Sequence, residues 1–336
     1  MASTFAWLRR IALVAVSVQC SIAESGLESD AGTPNDVAID AGPADDAAMD
    51  VATSGDAQGD VAPDVPSGPC TLSKPFGPPQ NLGMGVNSSE NDTTPSLTPD
   101  ELTIFFARGT GSSDSALYYT TRPTFVSPFG PATEITTISN GSTIDYTPFV
   151  VGTFSALYFA SIRGGNSNAH LYKATGDGVH PFAWTGITQL GISMDDNVYD
   201  RGPAWCGASN ELWFESTRGV SSFNLFVSTN GTMTPVSVPG VDDTNDEISP
   251  TLSADGLTLF YGEASKTSGP YTMMTTTRAS LSTTTFDAGP AVTELDTPGP
   301  DNLPGWLSGD GCRMYFASDR TGGSGGLDIW VATRPL

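Results

Sequence analysis

Apolar residues fall in five short, aromatic-rich runs spaced about 50 residues apart, at 102–106 (LTIFF), 156–159 (ALYF), 212–214 (LWF), 257–261 (LTLFY) and 314–316 (MYF). Runs this short, bounded by turn residues, predict strands rather than helices. Ahead of each run stands an acid three residues before a proline: Asp92 and Pro95, Asp145 and Pro148, Asp200 and Pro203, Glu247 and Pro250, Asp301 and Pro304. The best-preserved copies continue as PSLTPD (95–100), PTLSADG (250–256) and WLSGDG (306–311). This is a strand entering a tight turn, with Asp-Gly supplying the positive φ such turns need. After each run, apolar and polar residues alternate over 116–121, 170–174, 224–228, 271–276 and 328–333, the period of a strand with one buried face.

Three strands and a variable fourth per repeat make a propeller blade, so the pattern predicts an all-β, five-bladed β-propeller of four-stranded antiparallel blades. A six-bladed ring is the alternative, and it needs a blade with no recognisable repeat. The words Pro128-Phe129-Gly130-Pro131 open the fourth strand of the first unit, and nearly the same words, Pro75-Phe76-Gly77-Pro78, stand before any complete repeat. The last unit stops at Leu336 straight after its third strand. The orphan N-terminal strand is therefore expected to complete the last blade as a clasp, removing the open sheet edges. In four units an arginine follows the aromatic strand, in FFAR, FASIR, FESTR and FASDR (Arg108, Arg163, Arg218, Arg320), while the fourth unit has Lys266 nearby.

The blocks PTLSADGLTLFY and GCRMYFASDRTGGSGGLDIWVATR resemble the WD-repeat-like units of TolB-type propellers, especially those of uncharacterised propeller lipoproteins of myxobacteria. The resemblance spans about Phe76 to Leu336. It implies a binding or scaffolding module and names no ligand.

Composition adds an address. Arg9 and Arg10 precede an apolar run over 11–18 that is too short to span a bilayer and suits a signal-peptide core, giving a 1–23 export signal. Two cleavage readings stand. Ser21 and Ala23 before Glu24 suit ordinary signal peptidase, whereas Cys20 is placed like the lipid-modified cysteine of a bacterial lipoprotein, although Ser17 and Gln19 depart from the usual lipobox. From 24 to 69 the chain is an acidic linker: between 24 and 68 it carries eleven Asp or Glu residues, no Lys or Arg and no aromatics, a composition expected to stay disordered and self-repelling. Such a tether favours the lipid-anchored reading, with the 70–336 propeller held in the periplasm or at the cell surface; secretion is the alternative. The formal net charge of −23 leaves no basic patch for phosphates, so nucleic acid is set aside. Any membrane contact runs through Cys20, and the propeller is expected to be a monomer.

Classical catalytic motifs are absent from the sequence: no HExxH, no GxSxG elbow, no Walker loop, and only His170 and His180 as histidines, both read as structural. The glycine-rich run 322–326 reads as a hairpin turn. Ring closure brings Cys70 beside Cys312, which predicts a disulfide in an oxidising compartment and leaves Cys206 as a buried thiol. Two readings apply to the repeated acids. Asp92, Asp145, Asp200, Glu247 and Asp301 either form a carboxylate ring around one channel mouth, suited to a basic group or to calcium, or each orders its own turn or pairs with an arginine of its own blade; no cofactor is expected beyond that calcium. Symmetry-breaking residues beside them, Tyr146, Tyr199, Arg201, Trp205 and Trp306, with Trp184 further off, suit a sugar or peptide. The expected function is thus a non-enzymatic envelope propeller that binds or scaffolds protein, peptidoglycan or glycan. A glycoside hydrolase using inward-facing carboxylates is the alternative.

Overall fold

The computed structural model describes residues 70–109, 114–219, 222–232, 234–265 and 269–336. The export signal, Cys20, the 24–69 linker and Lys266 lie outside the described residues. The chain opens with β1 (Gln80–Asn81) and then builds its first blade from β2 (Asn91–Leu97), β3 (Thr103–Gly109), β4 (Ala116–Thr121) and β5 (Thr133–Glu134). The second blade is β6 (Ile144–Val151), β7 (Ala156–Ile162), β8 (His170–Gly176) and β9 (Trp184–Gln189). The third is β10 (Asp200–Cys206), β11 (Glu211–Ser216), β12 (Asn224–Thr229) and β13 (Val236–Ser237). β14 (Asp246–Leu252), β15 (Thr258–Ala264) and β16 (Thr272–Thr277) form the fourth, and β17 (Asn302–Leu307), β18 (Arg313–Ser318) and β19 (Asp328–Thr333) the fifth. All pairings are antiparallel, giving the five-bladed propeller that the repeat predicts. In the fourth blade the outer strand shrinks to one bridge, Met274 to Ala291.

The clasp is present: β1 pairs with β19, so the fifth sheet runs β1-β19-β18-β17. Gly77 N donates to Thr333 O as Gly130 N does to Thr121 O, which explains the repeated Pro-Phe-Gly-Pro words. Cys70 and Cys312 form a disulfide across 242 residues of sequence, and Cys206 is a free, buried thiol.

The second strand of each blade is apolar on both faces because a blade is covered by a neighbour on either side. On β3, Phe105 joins a cluster with Val150, Leu157 and Phe159 of the second blade, while Ile104 and Phe106 join Trp306, Tyr315 and Ile329 of the fifth. The Asp turn is built alike in three blades. In the fourth, Ser253 Oγ and Leu257 N both donate to Asp255 Oδ1, and Gly256 takes φ +70°. Two ion pairs tie blades at this rim: Arg313, half-buried, to Glu101, and the buried Arg278 to Glu211.

Each inner strand is interrupted next to its proline. Thr94, Thr147 and Ser249 take positive φ of 50°, 52° and 56°, a region costly for β-branched residues, and Gly202 takes 62°. The hydroxyl of Thr94 is also buried without a hydrogen bond. Thr94→Gly is therefore expected to stabilise the protein by about 1 kcal/mol, the reverse of the usual glycine penalty, as a higher denaturation midpoint at unchanged slope.

Candidate functional site

Asp92, Asp145 and Asp200 are fully buried and face away from the channel. Arg108 meets Asp92 at 2.7 Å, Arg163 meets Asp145, and Arg218 meets Asp200 at 2.7 Å. Each guanidinium also donates to a carbonyl of the loop that arrives from the preceding blade: Val86, Ile138 and Ile192. These acids and arginines therefore staple each connecting loop to its blade. In the fifth blade the equivalent residue is Asn302, fully buried and bonded by Arg320, while Asp301 is half-buried one residue earlier. A channel-mouth ring of carboxylates is thus replaced by seams between blades. The physical reason is the two-residue period of a strand: the residue after each acid, not the acid, looks into the channel.

Glu247 departs from the pattern. It too is fully buried, but no arginine reaches it and neither carboxylate oxygen has a hydrogen-bond partner. Burial, reinforced by Asp243, Asp242 and Glu263, pushes its carboxyl up to about 9.

The channel residues that follow the acids in register are Thr93, Tyr146, Arg201, Ile248 and Leu303, paired with Ala107, Ala160, Glu215, Gly262 and Ala317 of the second strands. They line a cavity of about 300 Å³, polar on one side and apolar on the other. Arg201 Nε donates to Glu215 Oε1, the Ser249 amide donates to Glu215 Oε2 at 2.6 Å, and the guanidinium lies 4.1 Å over the Phe223 ring. The terminal nitrogens of Arg201 make no hydrogen bond to described residues, and its side chain is 32% exposed. Tyr199 is 37% exposed at the rim. Burial pushes the Glu215 carboxyl up, against the pull of Arg201 and the Ser249 amide, and burial also raises the Tyr146 phenol.

The opposite end of the channel holds a second cavity of about 340 Å³, lined by Leu97, Phe149, Leu252, Trp205 and Trp306 among others. Between the two, Pro95, Pro148, Pro203, Pro250 and Pro304 close the channel to about 20 Å³. Tyr146, Tyr199 and Arg201 thus share one end, while Trp205 and Trp306 sit at the other. Arg201 and Trp205 are both on β10, but four residues of extended strand separate them by about 13 Å. Trp205 stacks on Tyr158 at 5.9 Å, and Trp306 meets Tyr315 edge-on at 5.8 Å. Trp184 packs on Phe105 in the core. His170 is fully buried beside Asp196, and His180 caps a turn with Asp177.

Glu215 escapes the sequence reading, although its signal is there: FESTR carries glutamate in a column that reads Ala, Ala, Gly and Ala in the other blades. Its partner Arg201 lies directly opposite in register.

No protein-family profile matches the sequence, and no curated protein does. Among solved structures the fold is similar to TolB from Acinetobacter baumannii, 17% identical with a TM-score of 0.47 over 73% of this chain. The chain spans about half, 54%, of the TolB chain it matches. It is also similar to the catalytic domain of the Coprinopsis cinerea GH62 α-L-arabinofuranosidase, 13% identical with a TM-score of 0.51 over 78% of this chain and 97% of that one. A third is native Bacillus subtilis arabinanase Arb43A, 10% identical with a TM-score of 0.49 over 75% of this chain and 96% of that one. At these identities the likeness is one of fold.

Proposed function

We propose that this protein is an exported, non-enzymatic binding propeller of the bacterial cell envelope that takes a glycan or peptide at the Tyr146–Tyr199–Arg201 end of its channel. The observation that carries the reading is the broken symmetry of that cavity. Two tyrosines and a guanidinium with free donors crowd one side, and Ile248 and Leu303 face them. An exposed ring offers a stacking face and a fixed guanidinium suits a carboxylate or hydroxyl-rich group. Glycoside hydrolysis needs two carboxyls, one on each side of the scissile bond. Among the described lining residues Glu215 is the single carboxylate, and Arg201 with the Ser249 amide already engages both its oxygens. The disulfide supports an oxidising compartment. Lipid attachment at Cys20 belongs to the same proposal.

Thermal shift of the protein against envelope glycans and peptidoglycan fragments, run beside reducing-sugar release, tests it. Stabilisation without product is expected. Tyr199→Ala, which removes an exposed ring, is expected to weaken binding at least tenfold, about 1.4 kcal/mol, by calorimetry, while Trp205→Ala at the far end leaves affinity unchanged. Sugar release that vanishes in Glu215→Gln would establish a hydrolase instead.

A further inference from the structure

Among the described residues, the fourth blade keeps the buried acid of the repeat without the arginine that neutralises it in the first three. In register with Asp145, Asp200 and Asn302 stand Ser161, Ser216 and Ser318, followed two residues later by Arg163, Arg218 and Arg320. In the fourth blade the first of these positions is Glu263, opposite Glu247, and the second is Ser265. The connecting loop contributes further acids, Asp242 and Asp243. Asp242 is spent on backbone, accepting from Leu225 N at 3.0 Å and Val238 N at 2.9 Å. Asp243 is exposed, and its carboxylate accepts only from Asn245 among described residues.

One carboxylate oxygen each from Asp243, Glu247 and Glu263 lie within 4.8 Å of one another. Glu247 is the decisive member, because it is fully buried, points into the cluster and has no hydrogen bond on either oxygen. A buried carboxylate is tolerated only with a partner, and among the described residues the charged groups grouped with Glu247 are acids, with the Asn245 amide reaching Asp243 and Glu263 but not Glu247. We propose that Asp243, Glu247 and Glu263 hold a calcium ion, which does in the fourth blade what the arginine staple does in the others. The donors are all hard oxygens in an irregular set, and an ion bound at about 2.3–2.6 Å holds opposite ligands about 4.6–5.2 Å apart. Magnesium, at about 2.0–2.1 Å with a strict octahedron, asks for a tighter and more regular cage. The exposed Asp243 leaves the outer side open for entry and for water ligands. The site lies at a seam and not in the channel, so it stands apart from the ligand reading above.

Terbium, a luminescent calcium substitute, provides the test on the full chain after treatment with a chelator. Tyr261 lies on the same strand as Glu263 and serves as the donor, whereas the acidic 24–68 segment has no aromatic residue to sensitise bound ions. Tyrosine-excited emission is expected to saturate, to be displaced by calcium, and to fall at least tenfold in Glu247→Gln and Glu263→Gln. Calcium at a hundredfold its dissociation constant is expected to raise the Tm by about 5 °C in the native protein and not in Glu247→Gln. Asp243→Asn, at an exposed position, keeps the test valid should the buried variants fail to fold, and at least a tenfold loss of calcium affinity is expected. The proposal is overturned by a Tm indifferent to calcium, by an undiminished response in Asp243→Asn, or by magnesium acting as well as calcium.

Discussion

Replacing Cys70 with serine is expected to cost the protein about 4 kcal/mol, read as a fall in Tm of roughly 8–16 °C or an equivalent loss of denaturation midpoint. The disulfide closes 242 residues, so on the chain-entropy account its effect lies toward the upper end of the ~2–5 kcal/mol measured when native disulfides are removed. The ring gives it a second task. β1 is only two residues long, and the clasp is otherwise held by backbone bonds such as Thr71 N to Pro335 O at 2.9 Å, Gly77 N to Thr333 O at 2.8 Å and Leu82 N to Ile329 O at 3.1 Å, by the Asn81 and Asn87 side chains on Asp328 and Ile329, and by burial of Phe76 under Arg334. Without the covalent link, the end of the chain frays from β19 and bares the edge of the last blade. Cys312→Ser should match Cys70→Ser, and reduction of the native protein should match both. A loss under about 1 kcal/mol would show that hydrogen bonds and Phe76 hold the ring unaided.

The second large effect concerns the blade-to-blade ion pair at the same Asp-turn rim. The Arg278 side chain is fully buried, with Nη2 at 2.9 Å from Glu211 Oε2, Nε at 2.7 Å from Gly256 O and Nη1 at 3.0 Å from Thr283 O. The Trp213 indole donates to the same Glu211 oxygen, and the guanidinium lies over the Trp213 and Phe286 rings. Glu211→Ala leaves that guanidinium in the interior with no counter-charge, so a loss of about 3–5 kcal/mol is expected in chemical denaturation. The double variant Glu211→Leu with Arg278→Met should recover most of it, since it removes both charges and keeps the volume. Equal losses in the single and double variants would mean that the rings, and not the charge, are what the pair supports.

The fold was legible because a propeller repeats one local rule five times. The aromatic runs, the Asp-Gly turns and the duplicated Pro-Phe-Gly-Pro words each have a physical counterpart in two-sided burial, an Asp-bonded turn and the clasp. The site was less so. The acids caught the eye because they repeat, and repetition here marks the staple that every seam requires. The channel faces are carried by the residues beside them, Tyr146 and Arg201 among these, and a one-residue offset turns a strand side chain from seam to channel. Glu215 interrupts a column of Ala and Gly, and Glu263 is the one acid in a column that otherwise reads Arg108, Ser161, Ser216 and Ser318, signals visible only once the blades are aligned strand by strand. The split of Arg201 from Trp205 is a matter of distance along one strand, which composition does not express.

The five prolines at the waist have a consequence for traffic. The space between the five prolines holds about 20 Å³, room for a water molecule and little else, so a solute larger than water finds no place there between one mouth and the other. The molecule is therefore not a conduit but two cups set base to base on a shared floor. Whatever settles in one cup departs by the way it came, and an occupant of the other neither blocks its entry nor waits for its exit.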